Sequence, residues 1–245
     1  MGNEISSEWH KRNALLSRLQ PESFKRLEPM LEPVTLGDRQ VLYHPDQKVT
    51  DIYFPDTTIL CMLTIMEDGR TIEAVTVGQE GASWISASVG TPTMPCQTMA
   101  AVGGRAYKVA ASEMEAEIRR NGLAHDLFSE YAHALLISSL RTGACNGLHS
   151  HTERAARWML SALDRTGGQQ FTITQEFLAS LLGCTRSTLN HIMTEFTQIG
   201  AVENRRGSIV VVDRSPLEKA TCECYTSIQR IFRELEHRQD KLRNA

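Results

Sequence analysis

Arg186, Ser187, Asn190 and His191 place a guanidinium, a hydroxyl, an amide and an imidazole within six residues of one stretch, TRSTLNHIMTEFTQI. Each can hydrogen-bond the edge of a base: arginine pairs with guanine and asparagine with adenine through two bonds at once, and serine accepts either role. Arg205 and Arg206, just before Gly207, supply charge suited to backbone phosphates. Other reactive residues are less organised. The six cysteines, at 61, 96, 145, 184, 222 and 224, lack the spacing of a structural zinc site. His149 and His151 beside Glu153 suggest a metal, but residues two apart do not share a helical face, and packing at a hinge explains them as well. No Ser/His/Asp or paired-carboxylate set stands out, so neither an enzyme, a metal nor a cofactor is expected.

The four base-reading candidates need a helix presented on a firm support. TQEFLASLL and TRSTLNHIMTEFTQI each repeat apolar residues every three or four positions: Phe177, Leu178, Leu181 and Leu182 in the first, Leu189, Ile192, Phe196 and Ile199 in the second. Thr174 and Thr185 are predicted to cap them, and Gly183 suits the joint between them. With the second stripe buried, Arg186, Ser187, Asn190 and His191 face outward. AVENRRGSIVVVD then reads as two strands, near 201–204 and 208–212, turning at Arg205, Arg206 and Gly207. Thr174 and Thr185 join Arg205 and Arg206 as candidate backbone contacts. An ordinary helical hairpin with a small ribbon is the competing reading.

Upstream, LEPVTL, QVLYH, DIYFP, TILCMLTI, TIEAVTV and RAYKVA read as short strands broken by turn residues, with a hairpin at Glu67–Arg70, behind two helices in 13–19 and 21–30. Such strands predict an antiparallel roll. No lysine or arginine lies between Thr71 and Gly104, so a phosphate bound there would lack a charged side-chain partner. Tyr53, Phe54, Trp84, Met94 and Met99 either line an effector pocket or fill a core. A helix from about 124 to 149, near 37 Å long at the usual rise, carries a seam through Phe128, Tyr131, Leu135, Ser138, Thr142 and Cys145, widened by Leu136 and Leu140. Its length favours pairing with a second copy along that seam. The predicted organisation is α+β: a roll over 1–122, a dimerisation helix and hinge over 123–150, and a winged helix-turn-helix with a helical extension over 151–245. Ser215 to Glu218 has the spacing of a capping box, and the extension is expected to dock on the winged core.

The chain has 245 residues and a net charge of −3, and 13 Lys/Arg face 11 Asp/Glu from residue 151 onward, which excludes DNA binding by bulk positive potential but allows a local basic face. The polar start lacks a signal peptide's apolar core and no apolar run approaches a membrane span, so a cytoplasmic protein without membrane contact is expected.

On ITQEFLASLLGCTRSTLNHIMTEFTQIGAV and RRGSIVVVDRSPLE, with the roll and long helix in order before them, the chain resembles the Crp/Fnr family of bacterial transcription regulators. The resemblance implies a cyclic-nucleotide-binding-like β-roll, a homodimer, and a winged domain on double-stranded promoter DNA, often engaging RNA polymerase. Cyclic-AMP-binding members begin the recognition helix with arginine and glutamate and place another arginine four residues after the glutamate. Arg186 matches the first, but Ser187 and His191 replace the others. In the sensor, GASW and CQTM stand where those members hold ribose and phosphate, with Gln97 or Thr98 near the arginine's place. A neutral group cannot replace a guanidinium, so no tight cyclic-AMP binding is expected, and Trp84, Gln97 and Thr98 mark the pocket of an unidentified effector. The N-terminal cysteines of iron–sulfur members are missing. A sensor or adaptor that keeps the fold without binding DNA is the alternative function.

Overall fold

The computed structural model describes residues 12–83, 91–120, 122–167, 170–205 and 208–243. Helices α1 (Ala14–Arg18) and α2 (Pro21–Leu27) precede strands β1 (Glu32–Leu36), β2 (Val41–Tyr43), β3 (Asp51–Pro55), β4 (Ile59–Ile65), β5 (Thr71–Val77), β6 (Gln97–Val102) and β7 (Gly104–Ala110). These form two antiparallel sheets, ordered β1-β7-β3 and β2-β6-β4-β5. Asn13 ties the N-terminal helices to the roll: its side-chain oxygen accepts from the N–H groups of Leu15 and Leu16, and its amide donates to the carbonyls of Pro55 and Gly81.

Strand β4 explains why TILCMLTI is an unbroken apolar run. Leu60 and Met62 point into the core of the roll, whereas Ile59, Cys61 and Leu63 belong to a second core shared with the C-terminal domain. A strand buried on both faces has no polar alternation to show. Strand β6, QTMAAV, lies between β2 and β4 and is absent from the expected strands. Its alanines are weak strand formers, and burial between neighbours overrides that preference.

Helix α3 (Ala111–Arg120) leads to α4 (Gly122–Leu148), a 27-residue helix. The seam Phe128, Tyr131, Leu135, Ser138, Thr142 and Cys145 is buried against the chain itself, not left free for a partner. Tyr131 shows the fit: its hydroxyl donates to the carbonyl of Ala82 at 2.8 Å and accepts from the Ala82 N–H at 3.0 Å. A Cβ on Gly81 would collide with that hydroxyl, so the close approach requires glycine. Tyr131→Phe strips a donor and an acceptor from a buried backbone pair and is expected to lower stability by about 1–3 kcal/mol. Urea denaturation reads this directly, and an unchanged midpoint would contradict the packing.

The opposite side of α4 is open. Leu136, Leu140 and Leu148 are 58%, 65% and 82% exposed, and Gly143 and Gly147 have nothing within 4 Å of where a Cβ would stand. His133, Leu136, Leu140, Gly143 and Gly147 repeat at three and four residues just as the buried seam does. Spacing alone could not tell which seam faces inward. The aromatic one is taken by the roll.

Beyond the joint at Ser150 come α5 (His151–Thr166), β8 (Gln170–Thr172), α6 (Gln175–Leu182), α7 (Arg186–Gln198), β9 (Val202–Arg205), β10 (Ser208–Val211), α8 (Arg214–Ala220) and α9 (Cys224–Arg243). Ser150 and Glu153 make a capping box that starts α5 afresh. Strands β8, β10 and β9 form a small antiparallel sheet. Asp213, rather than Ser215, caps α8. The extension does not dock on the winged core alone: Tyr225 lies in it, but Ile228, Phe232 and Leu235 enter the core of the roll. Helix α9 is therefore a strap between the two domains.

Candidate nucleic-acid interface and a buried thiol cluster

Helices α6 and α7 meet as the spacing predicts. The hydroxyl of Thr174 accepts from the Phe177 N–H and that of Thr185 from the Thr188 N–H, while Gly183 ends α6 at a φ of 63°. Leu178, Leu181 and Leu182 share one core with Leu189, Ile192, Met193 and Phe196 and with Trp158 and the other buried residues of α5. Ile199 departs from the expected stripe: α7 ends at Gln198, and Ile199 turns out to solvent.

Burial of that stripe leaves Arg186, Ser187, Asn190 and His191 exposed together on the outer face of α7. His191 Nε2 lies 3.3 Å from Glu195 Oε1 one turn on. On the wing, Arg205 is held by Glu203 through Nε at 3.0 Å and Nη2 at 2.6 Å, both groups exposed, so a phosphate would compete with that carboxylate for it. Arg206 lies outside the described residues, as does Trp84. As caps, the hydroxyls of Thr174 and Thr185 act as acceptors, which leaves their O–H protons to donate; that of Thr185 lies 2.8 Å from the Thr188 hydroxyl.

Of the expected effector residues, Gln97 and Thr98 are neighbours on strand β6. Thr98 is fully buried in the β2-β6-β4 sheet with its hydroxyl unpartnered, and Gln97 starts the same strand. Phe54 and Met94 are core residues, and Met99 faces the winged domain. An open cleft of about 390 Å³ lies elsewhere, where Arg12, Gln79, Glu80, Asp164, Arg165 and Phe232 meet. Beside it Arg165 bridges to Glu80 at 2.7 Å, and a Cβ on Gly78 would collide with the Arg165 stem. Trp158 of α5 donates to Glu73 of β5 at 2.7 Å in a buried contact. The turn after β5 is thus fastened to the first helix of the winged domain.

The expectation of no metal or cofactor is overturned. Cys145, His149, Cys222 and Cys224 bring their ligand atoms within 4.8 Å of one another. Cys145 and His149 are one turn apart at the end of α4, and Cys222 and Cys224 enter at the start of the strap, 77 residues from Cys145. The fold, not local spacing, assembles the set. The signal available in sequence is the i, i+4 pair Cys145/His149 together with the Cys-Glu-Cys segment; pairing His149 with His151 misses it. Burial pushes the thiols of Cys145, Cys222 and Cys224 above the ordinary range, which argues against a reactive redox cysteine.

Comparison with known proteins agrees with this geometry. Residues 153–220 match the Crp-like helix-turn-helix domain. No curated protein sequence matches the chain. Among solved structures, FixK2 from Bradyrhizobium japonicum is similar with a TM-score of 0.62 at 15% identity, over 78% of this chain and 98% of that one. A transcriptional regulator of the CRP family from Thermus thermophilus gives 0.63 at 13%, over 76% and 95%. The c-di-GMP-responsive regulator CLP of Xanthomonas campestris gives 0.60 at 12%, over 79% and 100%. Among the described residues no helix is long and apolar enough to cross a membrane. Residues 153–220 thus form a Crp-like helix-turn-helix domain, and the chain as a whole shares the fold of the solved CRP- and FNR-type regulators it matches.

Proposed function

We propose that this regulator binds a near-palindromic promoter site as a homodimer, reading bases with α7 and responding to a signal other than cyclic AMP. The observation that carries the reading is the exposed set Arg186, Ser187, Asn190 and His191 on a helix whose opposite face is buried. Arg186 is assigned to guanine, and Ser187, Asn190 and His191 set the remaining specificity. Arg205, with Arg206, Thr174 and Thr185, supplies backbone contacts that fix register. Pairing uses the open face of α4, where Leu136 and Leu140 supply apolar area and Gly143 and Gly147 let two helices approach closely. A genomic footprint is expected to return one reproducible two-fold motif, and occupancy without any shared motif would refute the assignment.

Independence from cyclic AMP rests on the roll itself. Its interior is filled by Tyr43, Phe54, Met62, Val75 and Met94, and no basic residue lies between Thr71 and Gly104. The purified protein is expected to show no saturable heat with cyclic AMP and unchanged promoter affinity in its presence. Micromolar saturation linked to tighter DNA binding would overturn this part.

A further inference from the structure

We propose that Cys145, His149, Cys222 and Cys224 form a mononuclear tetrahedral site for a soft divalent cation, Zn²⁺ foremost, which clamps the strap α9 to the last turn of α4 at the joint between the domains. The spacing of the ligand atoms carries this furthest. Cys145 Sγ and Cys222 Sγ lie 3.6 Å apart, and Cys224 Sγ lies 3.7 Å from His149 Nδ1. Bonds of about 2.3 Å to sulfur and about 2.0 Å to nitrogen in a tetrahedron put sulfurs about 3.8 Å apart and sulfur and nitrogen about 3.5 Å apart. Both of these edges are close to those lengths and the remaining ligand pairs lie within 4.8 Å, so shifts of about 1 Å or less close the set around a cation. Three thiolates and one imidazole make a closed structural set, and their softness selects Zn²⁺ over Mg²⁺ or Ca²⁺.

The surroundings are those of a ligand set. His149 Nε2 lies 3.2 Å from Glu223 Oε2, so the ring donates outward to a carboxylate and turns Nδ1 toward the sulfurs. Zn²⁺ with three thiolates leaves one negative charge in a buried place. Arg154 and Arg157, 3% and 4% exposed, each keep an unpartnered Nε and are near enough to act electrostatically on Cys145. Their charge balances the loaded site. Loading releases a proton from each thiol, so affinity rises with pH.

The location gives the site its consequence. Cys145 lies in the last turn of the helix that belongs to the roll and His149 just after it, while Cys222 and Cys224 lie at the entry of the strap that runs from the winged domain back to the roll. A cation there fixes the route by which α9 returns, and with it the setting of the winged domain.

The test uses full-length protein purified reduced and without chelator. Elemental analysis is expected to find about one zinc per chain after desalting. Exchange for Co²⁺ is expected to give the intense visible bands and thiolate-to-metal charge transfer of a tetrahedral sulfur-rich site. Cys222→Ser with Cys224→Ser, checked by circular dichroism, should lose metal, whereas Glu223→Gln should keep the fold and bind about 10–100-fold more weakly. Removing metal from the wild type should speed amide exchange in α9 about tenfold or more. Metal-free protein with a Cys145–Cys222 disulfide, iron with labile sulfide, or a weak octahedral cobalt spectrum would each overturn the site. Unchanged exchange in α9 on metal removal would overturn the clamp.

Discussion

A chain carrying Leu136→Asp and Leu140→Asp is expected to sediment as a monomer and to lose at least about a hundredfold in affinity for its promoter site. The two leucines are the most exposed apolar residues in the middle of α4, and no described residue of the chain covers them. An aspartate buried at their place in a dimer would be an unpaired charge, and truncating a central interface anchor alone costs about 2 kcal/mol or more. In a two-fold interface each substitution occurs twice, so about 4 kcal/mol, near a thousandfold in the dimer constant, is the least expected. A monomer keeps one recognition helix and so approaches nonspecific affinity. Because both positions are exposed in the single chain, stability should change by no more than about 0.5 kcal/mol. Sedimentation equilibrium separates the two effects. A stable dimer in the doubly substituted chain would place the interface elsewhere.

Arg186→Ala should lower affinity for the selected site by about 1–3 kcal/mol per half-site, or roughly thirtyfold at the least in a dimer, while binding to random duplex stays within a few-fold. The difference arises because a guanidinium paired with a guanine edge carries sequence information and a phosphate contact does not. Arg205→Ala is the contrast. Its charge is already shared with Glu203, so a smaller loss is expected, equal on specific and random DNA, with a shallower salt dependence. Equal losses for Arg186→Ala on both DNAs would move the base-reading role to Ser187, Asn190 or His191.

What the sequence made legible is local. Thr174, Gly183 and Thr185 announce the joint between α6 and α7 through capping and a left-handed glycine, and the apolar stripe of α7 says which side is free. What it hid depends on residues far apart. Two seams on α4 have the same spacing, and only the roll decides that Tyr131 is covered and Leu140 is not. Strand β6 is read poorly because alanine is a weak strand former. The thiol cluster escapes a local reading because its halves lie 77 residues apart and meet only when α9 folds back. In the sensor, the absence of basic residues is plain, but the cleft between Glu80, Asp164 and Phe232 belongs to three separate segments.

The domains are coupled through shared packing as well as through the strap. Ile59, Cys61 and Leu63 of β4 lie in the same core as Trp158, Leu178 and Leu181, and Arg165 grips Glu80. A change in the turn after β5 therefore reaches α5 directly.

The central claim, that α7 reads DNA as one half of a symmetric pair, is tested most directly by selecting the wild-type protein against random-sequence duplexes and reading the enriched motif. A two-fold motif is expected whose halves are centred about one helical turn apart, roughly 10–10.5 base pairs, each half with a guanine whose preference disappears with Arg186→Ala. Enrichment of a single undivided motif, or no enrichment at all, would contradict it.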